Sequence, residues 1–351
     1  MATDTTKARV LVVGAGGVGI MAAYALETGG RAHVTAVLRS NYDAVRERGI
    51  DIDSVEHGRG IKAWRPSAIV RSVPDVARDG LTAFDFIVVT TKNIPDAPPS
   101  VVDVIRPAVT PGHTVIVLSQ NGINIERPLA AAFPGNAILS SVSMISATET
   151  RPGVVLHTYS DSQQIGPFPR PGSSSSIAQE ALEDAARRYV AVYNPSGALD
   201  VRYDGDVQRA RWRKLLYNAS FNSVTALLRT DTTRVRMSRH VVDDLVLPIM
   251  REVAAAAAAC GCALAPEAVE RALLVDPTDV FFKPSMCQDV ERGNLLELEN
   301  IVGEPLREGT ARGVDMPTLR TVYGLLKGLQ LQAKEARGLW EPRFEPDNPY
   351  K

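Results

Sequence analysis

The sequence predicts an α/β protein in which a doubly wound parallel sheet is followed by an all-helical C-terminal domain. Short apolar segments rich in β-branched residues alternate with helical segments in the first half of the chain, which is typical of parallel sheets whose strands are joined by helices. A glycine-rich turn connects the first apolar segment to the first helical one. After Asp204 the apolar residues recur mainly with helical spacing.

The predicted strands are short apolar runs, which are typical of strands buried on both faces. They cover residues 10–13, 33–38, 84–90, 114–118, 137–146 and 153–157. Helices are predicted at 20–26, 100–108 and 177–192. The proline, glycine and serine residues of 167–176 predict a loop.

The second half of the chain predicts a helical domain. Helical spacing covers residues 207–228, 241–260, 266–274 and 317–331. A shorter helix is predicted at 286–292, with Ser285 as a candidate N-cap. Because Asp204-Gly205-Asp206 reads as a linker, we divide the 351 residues into domains 1–203 and 204–351.

Composition and charge exclude several classes of partner. The formal net charge is −1, so affinity for nucleic acid or for an anionic membrane is not expected. The three cysteines, Cys260, Cys262 and Cys287, fit neither a disulfide framework nor a zinc site, and no metal site is predicted. No apolar run is long enough to span a membrane and the N-terminus has no secretory signal, so we expect a cytoplasmic protein.

The glycine-rich turn predicts a dinucleotide site of the Rossmann type. It follows a strand and opens a helix, which is the context in which the pattern G-x-G-x-x-G has a physical meaning. Gly14 permits the tight turn, Gly16 lets the backbone approach a pyrophosphate, and Gly19 allows close helix packing. The alternative is a tight turn without a ligand. The residues of the motif are Gly14, Ala15, Gly16, Gly17, Val18 and Gly19.

The end of the second strand indicates which dinucleotide binds. NAD sites usually carry an acidic residue there, which bonds the ribose 2′-hydroxyl. This sequence instead has Arg39 followed by Ser40, a pair that suits a 2′-phosphate. We therefore predict NADP(H) rather than NAD(H). The alternative is that Arg39 is a solvated charge at the end of the strand.

A helix in the second half carries a polar stripe. Lys214, Asn218 and Asn222 are spaced four apart among mostly apolar residues, so on an α-helix they share one face. Buried polar groups need partners or a ligand. The alternatives are that Lys214 is a surface lysine continuing the basic cluster 209–214, and that the asparagines bridge groups within a helical core.

At this point the chain resembles the ketopantoate reductase (2-dehydropantoate 2-reductase) family. The resemblance covers about residues 8 to 335, and its lysine helix and P-S-M-x-Q-D segment are more specific than the glycine loop. The matching segments, in order, are the glycine loop, Thr91-Lys92, Gln120-Asn121-Gly122, Pro152-Gly153 with His157, the helix with Lys214, Asn218 and Asn222, Pro284-Ser285-Met286 with Gln288-Asp289, and Glu297 with Gly303.

The resemblance implies reduction of a 2-oxo acid by NADPH. Lys214 would match the family's catalytic lysine, which hydrogen-bonds the keto oxygen and donates a proton, and Glu297 would match the acid that contacts the reacting hydroxyl and the lysine. Glu297 has an alternative as a surface ion-pair partner of Arg292. The remaining positions implied are Asn218, Asn222 and Ser285 for the substrate, and Lys92 and Asn121 for the cofactor and nicotinamide side.

The function predicted is therefore an NADPH-dependent reductase of a small 2-oxo acid, most simply 2-dehydropantoate reduced to pantoate on the route to pantothenate and coenzyme A. Alternatives are a fold-related NADP-dependent dehydrogenase of another 2-oxo or hydroxy acid, and a non-catalytic NADP(H) sensor. Phe281-Phe282 makes the substrate side more aromatic than the family pattern. The expected partner is a small molecule, and a homodimer is compatible with the sequence.

Overall fold

The computed structural model describes residues 7–168 and 177–351. These residues form two compact units. Unit 1 contains the chain up to Asn93 together with Ala97–Ala210, and unit 2 contains Ile94–Asp96 together with Arg211–Lys351. The short segment Ile94–Asp96 therefore belongs to unit 2 although the chain on both sides of it belongs to unit 1.

Unit 1 is built on a ten-stranded sheet, counted over the described residues. The strands are β1 Ala8–Val13, β2 Ala32–Val37, β3 Ile50–Ser54, β4 Gly58–Trp64, β5 Ala68–Val70, β6 Phe86–Val89, β7 Val115–Leu118, β8 Ile138–Arg151, β9 Val154–Pro167 and β10 Asp200–Tyr203. Their order in the sheet is β4-β3-β9-β8-β7-β6-β1-β2-β5, and β10 pairs with β9. Most neighbouring strands are parallel, whereas β3–β4 and β8–β9 are antiparallel.

The predicted α/β architecture is confirmed, but the sheet is mixed rather than wholly parallel. Two predicted strands are much longer than expected, because β8 and β9 form one hairpin of 14 residues a side. Gly153 forms part of the connecting turn with φ +78°, a conformation that glycine adopts without strain. The loop predicted at 167–176 falls largely on residues 169–176, which lie outside the described residues.

Helices cover both faces of the parallel strands because the strand side chains alternate between two apolar cores. Val10 and Val12 share one core with Tyr189 and Tyr193, whereas Leu11 packs on the other side. The helices of unit 1 are α1 Gly17–Thr28, α2 Tyr42–Arg48, α3 Val101–Ile105 followed by a 3-10 turn Arg106–Ala108, α4 Arg127–Ala132, α5 Gln179–Tyr193 and the beginning of α6 Val207–Tyr217.

Unit 2 is helical in its described part, as the sequence predicts. Three wide π-helical turns interrupt its helices, at Asn218–Asn222, Val242–Val246 and Glu299–Gly303. Such turns are rare and occur frequently at functional sites. The helices that follow α6 are α7 Ser223–Leu228, α8 Thr232–Met237, α9 Arg239–Val241, α10 Leu247–Ala259, α11 Ala268–Leu273, α12 Ser285–Glu291, α13 Glu304–Thr310 and α14 Pro317–Ala336.

No helix among the described residues has both the length and the apolar character needed to cross a membrane. The same residues contain no group of three or more histidine, cysteine, aspartate or glutamate side chains placed to bind a metal ion.

Candidate active site

The glycine loop connects β1 to α1 through a turn that requires two of its glycines. Gly14 has φ +104°, and a Cβ atom there would lie 2.5 Å from the backbone nitrogen of Thr91. A Cβ at Gly19 would lie 2.2 Å from the carbonyl oxygen of Gly14. The loop is therefore closed by backbone-to-backbone contact, which fits the role of the first and last glycines in the motif.

Gly16 differs from the other glycines of the loop, because a Cβ there would meet no atom within 4 Å. Gly16 is exposed and is the N-cap of α1, and its position supplies no side-chain cap. An α-helix leaves its first N–H groups without partners inside the helix. In α1 these N–H groups come directly after Gly16, where no protein atom blocks the approach to the backbone. The loop thus has the shape and the donors that a pyrophosphate needs.

Asn41, which was not among the residues predicted from the sequence, holds this loop through hydrogen bonds. Its Nδ2 donates to the carbonyl oxygen of Ala15 at 2.9 Å and to Glu149 Oε1 at 2.8 Å. Gly17 packs against β8, where a Cβ would lie 2.2 Å from the carbonyl oxygen of Ala147. An asparagine directly after a strand-end Arg-Ser pair is the only signal that the sequence offered.

Arg39 lies just beyond the end of β2 and is exposed. Parallel pairing of β2 with β5 aligns Val37 with Val70, the last residues of the two strands. Arg71, which directly follows β5, therefore lies beside the end of β2. Arg71 lies 4.2 Å from the centre of the Tyr42 ring and pairs with Asp43 at 2.5 Å. The end of β2 is therefore rich in arginine, and its nearest acid in the chain, Asp43, is already bound to Arg71.

The predicted residues Lys92 and Asn121 follow the adjacent strands β6 and β7, at the same edge of the sheet as the glycine loop. The loops are joined by hydrogen bonds, since Thr90 Oγ1 donates to the carbonyl oxygen of Gly14 at 2.6 Å and Gln120 Nε2 donates to that of Thr91 at 2.7 Å. Lys92 is exposed and Asn121 is half-buried. Carboxyl ends of parallel strands are where such sheets bind ligands.

In unit 2 the lysine helix is locally wider than an α-helix. Lys214 lies in the last turn of α6, whereas Asn218 and Asn222 are the first and last residues of the π-helical turn that follows. Both asparagines are buried, with 8% and 2% of their surface exposed. The two amides therefore lie inside the helical unit rather than on its surface.

The electrostatics of Lys214 set it apart from a surface lysine. Burial of the ammonium group lowers the pKa of Lys214 to about 8, the positive charge of Arg211 lowers it further, and the negative charge of Glu297 opposes both. Arg211 and Glu297 are themselves buried, at 3% and 6% exposure. Two cations and one carboxylate therefore interact within unit 2, and the surface alternative for Glu297 does not fit its burial.

Ser285 is the first residue of α12 rather than its N-cap, so the candidate cap from the sequence is wrong. The N-cap position is Pro284, which has no side chain able to accept a hydrogen bond. Asn222 caps the N-terminus of α12 instead, because its Oδ1 accepts a hydrogen bond from the backbone N–H of Met286 at 2.8 Å. Asn222 Nδ2 also faces Ser285 Oγ at 3.4 Å, and Ser285 is exposed.

Comparison with known proteins identifies the family. Residues 10–170 match the profile described as ketopantoate reductase PanE/ApbA, and residues 206–330 match that of its C-terminal part. The crystal structure of 2-dehydropantoate 2-reductase from Methylococcus capsulatus is 32% identical, with a TM-score of 0.77, over 93% of this chain and 97% of that one. The chain belongs to the ketopantoate reductase family. The resemblance stated from the sequence is thereby confirmed.

This member of the ketopantoate reductase family is also similar to a yeast protein and, in its fold, to a solved dehydrogenase. An uncharacterized protein of Saccharomyces cerevisiae is 37% identical over 94% of this chain and 96% of its own length. D-mandelate dehydrogenase, solved with NADH and anilino(oxo)acetate, is 20% identical and has a TM-score of 0.77 over 93% of this chain and 99% of that one. The second likeness shows a common fold only.

Proposed function

We propose that this protein is an NADPH-dependent reductase of a small 2-oxo acid, with 2-dehydropantoate as the first candidate substrate and pantoate as its product. The observation that carries the proposal is the environment of Lys214, whose lowered pKa lies close to physiological pH beside the buried carboxylate Glu297. Titratable groups perturbed in this way are typical of catalytic acids and bases.

The proposed cofactor site is the glycine loop with the residues around it. The open backbone at Gly16 and the N-terminus of α1 bind the pyrophosphate, while Arg39 binds the 2′-phosphate that distinguishes NADP(H) from NAD(H). Lys92 and Asn121 line the nicotinamide side. When bound, the reduced nicotinamide supplies the hydride that reaches carbon 2 of the oxo acid.

Lys214 is the proposed proton donor. With a pKa of about 8 the ammonium is mostly protonated at neutral pH, and it is acidic enough to transfer a proton as negative charge develops on the keto oxygen. The carbonyl gains a hydride at carbon and a proton at oxygen, so the product is a 2-hydroxy acid and the lysine is left neutral until solvent reprotonates it.

Glu297 and the polar side chains complete the proposed substrate site. Glu297 orients Lys214 and accepts a hydrogen bond from the forming hydroxyl. Asn218 and Ser285 bind the substrate's oxygens, and Asn222 supports them by holding the start of α12. The division of labour between residues 1–203 for the cofactor and 204–351 for the substrate stays a prediction, as do a cytoplasmic location and a homodimer.

A second candidate function keeps the chemistry and changes the substrate. Phe281 is 52% exposed shortly before Ser285 in the chain, and the fold relative D-mandelate dehydrogenase was solved with an aromatic oxo acid amide, anilino(oxo)acetate. An aromatic 2-oxo acid is therefore a reasonable competitor for 2-dehydropantoate. A non-catalytic NADP(H) sensor is the third candidate, although a sensor does not require Lys214 and Glu297 together.

The experiment is to follow NADPH oxidation with a panel of 2-oxo acids that includes ketopantoate and phenylglyoxylate. Lys214→Ala should lower turnover by about 100- to 1000-fold, because one donor to a developing oxyanion contributes roughly 3–4 kcal/mol, while NADPH binding is retained. Arg213→Ala is the matched control, since Arg213 is the exposed neighbour in the same helix. NADPH binding without oxidation by any acid would instead favour the sensor.

A further inference from the structure

Helix α14 presents a row of polar side chains, and the most deeply buried of them is Gln330, at 1% exposure. Tyr323, Lys327, Gln330 and Lys334 follow one another at intervals of four, three and four residues, so they share one face of the helix. All four bind segments that lie far away in the chain. No sequence motif marks any of them.

The carboxamide of Gln330 binds both peptide groups that flank Leu296. Its Oε1 accepts the backbone N–H of Leu296 at 2.9 Å, and its Nε2 donates to the carbonyl oxygen of Leu296 at 3.3 Å. That carbonyl belongs to the peptide bond that joins Leu296 to Glu297. The backbone immediately before Glu297 is therefore held by two hydrogen bonds from one buried side chain.

Asp96 fixes the orientation of the same carboxamide. Gln330 Nε2 also donates to Asp96 Oδ1 at 3.2 Å. Lys334 holds Asp96 in place, because its Nζ lies 2.7 Å from both the carbonyl oxygen and Oδ2 of Asp96. If the carboxamide were turned over, its oxygen would face the Asp96 carboxylate and its NH₂ group would face the Leu296 N–H, so only one orientation satisfies all the partners.

The chain is attached to α14 on the other side of Glu297 as well, through the side chain of Glu299. Glu299 accepts hydrogen bonds from the Tyr323 hydroxyl at 2.9 Å and from Lys327 Nζ at 3.0 Å. Glu297 thus lies between two points that are both attached to the same helix. A carboxylate that must stay close to a reacting group gains from such support, since small displacements slow catalysis strongly.

We propose that Gln330 is a positioning residue for the reduction: it fixes Glu297 by binding the Leu296 peptide groups, and Asp96 keeps its carboxamide in the required orientation. The inference rests on the proposed function, because it takes Glu297 to be part of the active site. Gln330 acts through Glu297 and is not expected to touch the substrate.

The test compares Gln330→Met, which keeps the length of the side chain and removes its hydrogen bonds, with Gln332→Met, the same change at an exposed position of α14. For Gln330→Met we expect kcat to fall on the order of ten- to a hundred-fold with little change in the Kd for NADPH. Because Glu297 raises the pKa of Lys214, a displaced Glu297 should also move the alkaline limb of the pH profile to lower pH. Gln332→Met should behave like the wild type.

A double-mutant cycle separates positioning from general stability. In a Glu297→Gln background, Gln330→Met should cause little further loss of kcat, because the group it acts through is already removed. Equal losses in both backgrounds, or an unshifted pH profile, would overturn the role of Gln330 while leaving the proposed function intact. Wild-type turnover in Glu297→Gln alone would remove Glu297 from the mechanism and the role of Gln330 with it, whereas absence of NADPH oxidation by the wild-type protein with every 2-oxo acid of the panel would overturn the proposed function. If Gln330→Met does not fold, Gln330→Asn replaces it in the same cycle. Its shorter carboxamide adds no charge and cannot reach both Leu296 groups, so it should shift the pH profile in the same direction.

Discussion

Asn222 caps a helix that begins 63 residues later in the chain: its Oδ1 accepts the backbone N–H of Met286, the second residue of α12, at 2.8 Å. The pattern of the family predicts a substrate contact at this asparagine, whereas its oxygen is already bound to the protein. The amide thereby joins the wide turn after Lys214 to the helix that begins with Ser285.

The first prediction concerns the stability of this junction. Asn222→Ala should lower the free energy of unfolding by about 1–2 kcal/mol, because it removes a helix-capping acceptor and leaves a buried N–H without its partner. Asn222→Asp retains an acceptor and should recover most of the loss. Urea denaturation of the two variants checks this. Equal stability of Asn222→Ala and the wild type would show that another group satisfies Met286.

The second prediction is a pH dependence set by Lys214. Because its folded pKa is about 8, kcat/KM for reduction should decline as pH rises through this value and the proton donor is lost. Arg211→Met removes a positive charge that lowers this pKa, so it should move the limb to higher pH. The measurement is initial rate against pH for both proteins, and a flat profile from pH 7 to 10 would exclude Lys214 as the donor.

The third prediction concerns the effect of the Lys214 ammonium group on the stability of the folded protein. The pKa of Lys214 is lowered from 10.5 to about 8 in the folded protein, so the unfolded chain binds more protons between these values and stability should rise with pH across that window. Lys214→Met should therefore be more stable than the wild type at pH 7, by up to roughly 3 kcal/mol, while losing turnover. Thermal melts of both proteins at pH 7 and pH 9.5 should show the difference shrinking, and a constant difference would contradict the argument.

The fourth prediction separates two glycines of the same loop. Gly16→Ala should fold with nearly wild-type stability, since its Cβ meets no protein atom, yet it should weaken NADPH binding because the Cβ occupies the approach to the pyrophosphate. Gly19→Ala places its Cβ 2.2 Å from the carbonyl oxygen of Gly14 and should destabilise the unit itself. Melting temperature and NADPH Kd, measured for both variants, check the contrast. Unchanged binding in Gly16→Ala would argue against a ligand at this position.

The fifth prediction addresses the choice of cofactor. Arg39→Ala should raise the Kd for NADPH by roughly 10- to 100-fold and leave that for NADH nearly unchanged, because a charge-assisted hydrogen bond contributes about 1.5–3 kcal/mol. Arg59→Ala, at an exposed position on β4, is the control. Equal losses for both dinucleotides would assign Arg39 to a part of the site that the two share.

The elements that were predicted well from the sequence are those whose apolar and glycine residues recur in a pattern that indicates burial. The strand at Val10 and the helix after Gly17 are visible because apolar periodicity and glycine spacing are local properties. Strand β4 was missed because every residue of Gly58–Trp64 is exposed or half-buried, so no apolar alternation marks it. Strand β5 has only three residues, too few for a pattern.

The residues of the candidate site also differ in whether they could be predicted from the sequence. Lys214 and Glu297 could be proposed from a resemblance, and the glycine loop from its local context. Gln330 and Asp96 could not, because their hydrogen bond joins residues 234 positions apart and neither lies in a motif. The π-helical turns were also beyond prediction, since the spacing of Asn218 and Asn222 suits an α-helix equally well.

The three residues Ile94–Asp96 have a practical consequence for protein engineering. Because they belong to unit 2 while their neighbours on both sides belong to unit 1, the polypeptide passes between the units three times, at 93/94, 96/97 and 210/211. A chimera that exchanged only the chain after residue 210 with that of a relative would pair a foreign α14 with the native Asp96. Transplanting the helical unit as a working module therefore requires two segments of chain, one of them only three residues long.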